Sequence, residues 1–142
     1  MTNPKEVYLV DDAQDYRFLV QGIFARHMPD NQLRLFESGN DLAHHVLRNL
    51  ERPALILLDR HMPNRDGYQT LQLLKQHPYW HVVPVVMVSA NASPEDVQQG
   101  YRLGANSFLR KPLDYESLRR LIESTCQYWL SLNQPFDSTI VT

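Results

Sequence analysis

Five short apolar runs alternate with five longer segments of helical period, and this alternation restricts the fold more than any other feature of the chain. Lys5 to Val10 reads as a first strand, with Val7, Leu9 and Val10 as its apolar residues. From Tyr16 the period changes. Tyr16, Leu19, Val20, Ile23, Phe24 and His27 fall on one face of an amphipathic helix, which Pro29 and Asp30 stop. Leu33 to Phe36 is a second strand. After Ser38-Gly39-Asn40-Asp41, a second helix presents Leu42, Val46, Leu47 and Leu50. Leu55-Ile56-Leu57-Leu58 is unbroken and apolar, as expected of a strand buried on both faces. A loop containing Met62-Pro63-Asn64 and Asp66-Gly67 leads to a third helix marked by Tyr68, Leu71 and Leu74. Val82 to Val88 reads as a fourth strand, with Pro84 near its start. Ser93-Pro94-Glu95-Asp96 is a helix start with a Ser cap, Pro at the first position and an acid three residues on; Gly104 suits its stop. Asn106 to Leu109 is a short fifth strand, and from Asp114 a last helix carries Leu118, Leu121, Ile122, Thr125, Trp129 and Leu132.

Repeated βα units predict an α/β fold. Parallel strands need crossover helices, and right-handed crossovers cover both faces of the sheet in a doubly wound arrangement. At 142 residues the chain has the size of one domain, expected over 1–132, with a polar tail over 133–142. It is long enough to bury a full core without disulfides or a structural metal. A net charge of −2 provides no footprint for nucleic acid or an anionic membrane. The lone Cys126 cannot staple the chain and suits a reducing compartment. The polar N-terminus does not read as a signal peptide, and no apolar run approaches the roughly 20 residues that span a bilayer. A cytoplasmic location is expected.

In doubly wound sheets, ligands bind beyond the carboxyl ends of the strands, where strand order reverses. Asp11 and Asp12 follow the first strand, Asp59 the third, Ser89 and Ala90 the fourth, and Arg110, Lys111 and Pro112 the fifth. Three carboxylates, a hydroxyl and an ammonium are therefore expected to converge. Crowded carboxylates raise one another's pKa, and a hard divalent cation such as Mg²⁺ relieves that conflict. With Lys111 beside it, one carboxylate can attack a phosphoryl group while Ser89 donates to one of its oxygens. Singly, each residue has an ordinary reading as a cap or loop residue; jointly they point to aspartyl phosphorylation. The histidines lack acid or cysteine partners at zinc spacing, and no Gly-rich loop follows the first strand.

The motifs Val10-Asp11-Asp12, Leu57-Leu58-Asp59 with Met62-Pro63 and Asp66-Gly67, Val88-Ser89-Ala90, and Gly104-Ala105-Asn106 leading to Lys111-Pro112 resemble those of response-regulator receiver domains. The resemblance implies a flavodoxin-like (βα)5 fold whose five-stranded parallel sheet has the order 2-1-3-4-5. It implies a response regulator without a separate output domain, which catalyses only its own phosphorylation and dephosphorylation. Asp59 would be the phosphoacceptor. Asp11, Asp12, Asp59 and the backbone carbonyl of His61 would hold Mg²⁺ or Mn²⁺. Ser89 and Phe108 would form the switch pair, and the peptide bond before Pro112 would be cis. The implied donor is a histidine kinase or histidine phosphotransfer protein, and the resemblance leaves open a homodimer through the fourth helix, fifth strand and fifth helix. Asp15 with Tyr16-Arg17-Phe18, and Tyr128-Trp129-Leu130 with Asn133, look like stand-alone receivers associated with phytochrome-type and hybrid kinases. Arg60, directly after the acceptor, is unusual for the family. Two other readings stay open: a Mg²⁺-dependent phosphohydrolase, disfavoured because its two acids are adjacent rather than two apart, and a scaffold with a vestigial site.

Overall fold

Side chains of the central strands alternate between two helical layers, and that alternation builds the core. A computed structural model describes residues 5–62 and 66–136. Its elements are β1 (Glu6–Val10), α1 (Gln14–His27), β2 (Gln32–Phe36), α2 (Gly39–Arg48), β3 (Leu55–Asp59), α3 (Gly67–Gln76), β4 (Val85–Ser89), α4 (Pro94–Arg102), β5 (Ser107–Arg110) and α5 (Tyr115–Gln127). All strand pairs are parallel, in the order β2-β1-β3-β4-β5. Val7 and Leu9 of β1, Leu55 and Leu57 of β3, and Val86 and Val88 of β4 meet Val20, Ile23 and Phe24 of α1 and Leu118, Ile122 and Cys126 of α5. The intervening Tyr8, Val10, Ile56, Leu58, Val85 and Met87 face Leu42 and Val46 of α2 and Leu71 and Leu74 of α3. The β3 and β4 residues are buried on both faces. No helix among the described residues is long and apolar enough to cross a membrane.

Several expectations shift at element ends. The second helix stops at Arg48, so Leu50 lies beyond it, and Leu47 is one residue past the buried Val46; both leucines are exposed. The fourth strand begins at Val85 rather than Val82. Trp80–Val82 form a 3₁₀ turn that buries the Trp80 ring, and Pro84 has no N–H to give the ladder. The inward stripe of α5 is Leu118, Ile122, Cys126 and Leu130, whereas Leu132 is exposed. The helix passes into a wider π turn over Tyr128–Leu132, closed by the Asn133 N–H on the Tyr128 carbonyl at 2.7 Å, and this rotates the last residues out of the expected phase. Burial raises the Cys126 thiol to about 12, so it behaves as a core residue. Pro63 and Asn64 of the loop motif, and residues 137–142 of the tail, lie outside the described residues.

Gly67 opens α3 directly beneath the end of β3. A Cβ there would meet the Asp59 carbonyl oxygen at 2.4 Å and the Arg60 Cα at 2.8 Å. Alanine is the better helix former by about 1 kcal/mol, but backbone atoms cannot yield as a side-chain tip can. Gly67→Ala should therefore lower stability in urea unfolding by about 1–3 kcal/mol. Wild-type stability in that variant would mean that the close approach of α3 to Asp59 is not required.

Candidate functional site

The register of the sheet brings the expected residues to one edge. Asp59 pairs with Val88, Ser89 pairs with Arg110, and the Lys111 N–H extends the ladder to the Ser89 carbonyl at 2.9 Å. Asp11 continues β1 by donating its N–H to the Phe36 carbonyl at 3.1 Å. Its carboxylate then turns the chain into α1, with Oδ1 accepting the Ala13 N–H at 2.9 Å. That contact stands where α1 has no side-chain cap of its own. Arg17, one turn into α1, donates to the Asp11 carbonyl at 2.7 Å and lies 3.7 Å from Glu37.

Asp11, Asp12 and Asp59 each present a carboxylate oxygen within 4.8 Å of the other two. Asp11 and Asp59 are buried, whereas Asp12 is exposed. Lys111 answers the buried pair. Its Nζ donates to Asp11 Oδ2 at 2.7 Å and stands 3.3 Å from Asp59 Oδ1. Burial, then the Asp11 charge, push the Asp59 carboxyl up to about 6; the Lys111 ammonium and the His61 N–H pull it down but do not win. One ammonium for three acids leaves a charge deficit, and an oxygen-lined acidic cluster of this kind suits a divalent cation.

Ser89 is buried, and its Oγ accepts the Asn91 N–H at 3.3 Å. Half-buried Phe108 stands beyond it, and both line a cleft of about 470 Å³ with Asn91, Val97 and Arg110. Gly100 of α4 makes room for the Phe108 ring: a Cβ there would meet Phe108 Cδ2 at 2.8 Å. The Lys111–Pro112 bond is not cis as expected, since no cis peptide bond occurs among the described residues. The trans isomer is the lower in energy before proline by about 0.5–1 kcal/mol, and the Lys111 ammonium reaches both acids with the bond trans. A larger cleft, about 910 Å³, lies at the opposite end of the sheet among Lys5, His27, Asp30 and Glu123. It gathers no comparable set of acids, so the strand-end carboxylates mark the site.

Two residues carry more than the sequence suggested. Arg60 joins the loop after β3 to α4, with Nη2 3.1 Å from Asp96 Oδ1 and its guanidinium 4.4 Å above the Tyr68 ring. Tyr68 donates its hydroxyl to the Asp96 carbonyl. Asp96 also closes the capping box of α4 with Ser93. Tyr16, read as part of an apolar face and of a stretch that looks like phytochrome-associated receivers, lays its ring 4.3 Å from Lys111 Nζ. An aromatic one turn after an acid pair is a weak signal; only the fold shows what it faces.

The response regulator receiver domain model matches residues 7–123. The chain belongs to that family. It is 30% identical over 132 residues to the response regulator Rcp1 of Synechocystis sp., covering 89% of this chain and 90% of that protein. Among solved structures it resembles the phosphorylated cyanobacterial phytochrome response regulator RcpA, with a TM-score of 0.88, 25% identity, and coverage of 94% of this chain and 99% of that one. It also resembles the Mn²⁺-bound form of Rcp1, with a TM-score of 0.84, 27% identity, and coverage of 94% and 100%. The receiver is thus a two-component response regulator similar to those associated with phytochromes. Its acidic cluster, read with the Mn²⁺-bound relative, suggests divalent-cation binding.

The receiver's charge deficit has a measurable consequence. Asp59 stands near 3.8 when unfolded and about 6 when folded, so its favourable contribution is present below about 4 and lost as pH rises through about 6. Without divalent cations, Asp59→Asn should therefore be more stable than wild type at pH 7.5, by on the order of 1–3 kcal/mol. The difference should shrink steadily between pH 6 and 4. Urea unfolding in chelator at several pH values checks this; a difference independent of pH would contradict it.

Arg60→Ala should loosen the start of α4 by leaving Asp96 without its charged partner. Amide exchange should rise chiefly in the first turn of α4. Uniform loss of protection would mean that Arg60 is not a local tie.

Proposed function

We propose that Asp59 accepts a phosphoryl group from a histidine kinase or histidine phosphotransfer protein, and that the resulting aspartyl phosphate changes a partner-binding surface. The observation that carries this reading is the 3.3 Å approach of Lys111 Nζ to a buried Asp59 that also lies beside Asp11 and Asp12. An Asp59 carboxylate oxygen attacks the phosphorus of a phosphohistidine. A P–O bond forms, the P–N bond breaks, and the departing imidazole nitrogen takes a proton. Asp11, Asp12, Asp59 and the His61 carbonyl would hold Mg²⁺ or Mn²⁺, which when bound neutralises charge on the transferring oxygens. Lys111 contributes positive charge from the opposite flank. Hydrolysis returns the carboxylate, so the only chemistry ascribed to the chain is on itself, in the cytoplasm.

A phosphoryl on Asp59 draws the Ser89 hydroxyl toward it and away from the Asn91 N–H. Phe108 then turns inward toward the space behind Ser89, against the Gly100 face of α4. The phosphoryl biases this equilibrium by its differential contacts in the two states. The surface affected is α4, β5 and α5, where Arg102, Arg110 and Arg120 are exposed. Asp96 and Arg119 are already paired within the chain, with Arg60 and with Glu116 and Glu123, so they are not offered to a second copy. Self-association through this face is the proposed output.

Incubation with acetyl phosphate and Mg²⁺ tests the reading. Wild type should take up one phosphoryl per chain, Asp59→Asn none, and chelator should prevent uptake. Turnover of the donor without a labelled chain would favour a hydrolase, and silence would favour a scaffold. Sedimentation with beryllofluoride should show a larger species than the resting chain, and Phe108→Ala should suppress it. An unchanged species would assign the surface to another protein.

A further inference from the structure

The Lys111 ammonium is held from more than its acidic side. Its Nζ donates to Asp11 Oδ2 at 2.7 Å and lies 3.3 Å from Asp59 Oδ1, while the Tyr16 ring stands against it with its centroid at 4.3 Å. Tyr16 comes from the first turns of α1, and Lys111 follows β5. The contact therefore joins residues distant in sequence across the mouth of the site. Tyr16 is also partly buried against the apolar cluster that includes Val7, Leu9, Val88 and Leu118. Its hydroxyl is buried and has no hydrogen-bond partner among the described residues.

These facts divide the side chain into two parts. A buried hydroxyl without a partner is unfavourable, so stability does not account for it. The ring face does something that no oxygen ligand could do. A cation is attracted to an aromatic face by the ring quadrupole, without needing one of its N–H groups in a directional bond. A lysine ammonium has three such donors, enough for Asp11, Asp59 and one more oxygen. A carboxylate or carbonyl in the place of Tyr16 would compete for that third donor. A ring holds the charge and leaves the donor for an incoming group.

We propose that Tyr16 is a positioning residue for phosphoryl transfer: its ring face confines the Lys111 ammonium beside Asp11 and Asp59 and keeps one N–H available to an oxygen of the phosphoryl group. This rests on the reading of Asp59 as phosphoacceptor. The ring acts through Lys111 and touches neither donor nor metal. Its removal should slow transfer without weakening cation binding. The hydroxyl has no part in the role, so phenylalanine should replace tyrosine.

The test uses the full chain with Tyr16→Phe and Tyr16→Leu, with Tyr16→Met as a second apolar replacement should leucine disturb the fold. Labelling by acetyl phosphate is followed across donor and Mg²⁺ concentrations. Phe should keep the wild-type maximal rate constant within about twofold, and Leu should lower it about tenfold, with the Mg²⁺ dependence unmoved in both. Independently of labelling, the Lys111 Hε resonances in the metal-free protein should be displaced upfield by the ring in wild type and Phe, and should return toward ordinary lysine values in Leu. A Leu variant that labels as fast as wild type overturns the role, and so does a Phe variant that falls as far as Leu. An Hε shift that survives Leu removes the contact itself. If wild type takes no label, the phosphoacceptor reading fails, and this role fails with it; a labelled wild type with an unaffected Leu variant overturns the role alone.

Discussion

Lys111 stands 2.7 Å from Asp11 and 3.3 Å from Asp59, and most of what is distinctive in this fold serves to hold those charges in one place. Bringing two carboxylates out of water at the ends of parallel strands is unfavourable unless each finds a partner. The chain meets that demand with one ammonium, the Ala13 N–H on Asp11 and the His61 N–H beside Asp59. Burial and the Asp11 charge outweigh these partners at Asp59 and hold its carboxyl above the ordinary range. A site left short of positive charge is one that a divalent cation completes. The sheet maintains the shortage because β3 and β4 are buried on both faces and cannot relax their ends outward.

The same rigidity gives the site two routes to α4. One is the cleft shared by Ser89 and Phe108, with the Phe108 ring lying where Gly100 lacks a side chain. The other is Arg60, whose backbone N–H bonds the Val88 carbonyl while its guanidinium holds Asp96 and covers Tyr68. The strand ends at Asp59 and Ser89 are thus linked to α4 both at its first turn and in its middle. In this receiver the loop after β3 is tied to α4 through Arg60, a contact that rests on this residue and not on the general pattern of the fold.

The sheet and the acid cluster were legible because each rests on a strong local signal. Buried parallel strands read as unbroken apolar runs, and residues just after such strands share an edge whatever lies between them. The shared edge of Asp11, Asp12, Asp59, Ser89 and Lys111 is thus legible in the sequence. Helix ends were less legible. Leu47 faces outward within α2, Leu50 continues the apolar pattern past Asn49 where the chain leaves helical geometry, and the π turn after Gln127 moves Leu132 out of phase with Leu130. The contacts of Tyr16 and Arg60 could not be read, because their partners, Lys111 and Asp96, are 95 and 36 residues away and no local pattern names them. The expected cis bond before Pro112 came from resemblance alone, and the chain has it trans.

The central claim is that the carboxylate facing Lys111 forms an acyl phosphate. Borohydride reduces an acyl phosphate to an alcohol and so turns the modified aspartate into homoserine, which peptide mass spectrometry locates directly. After treatment of the wild-type chain with acetyl phosphate and Mg²⁺, reduction should place homoserine at position 59 and nowhere else. Homoserine at position 11 or 12 instead, or a phosphorylated chain that yields none, would contradict the account.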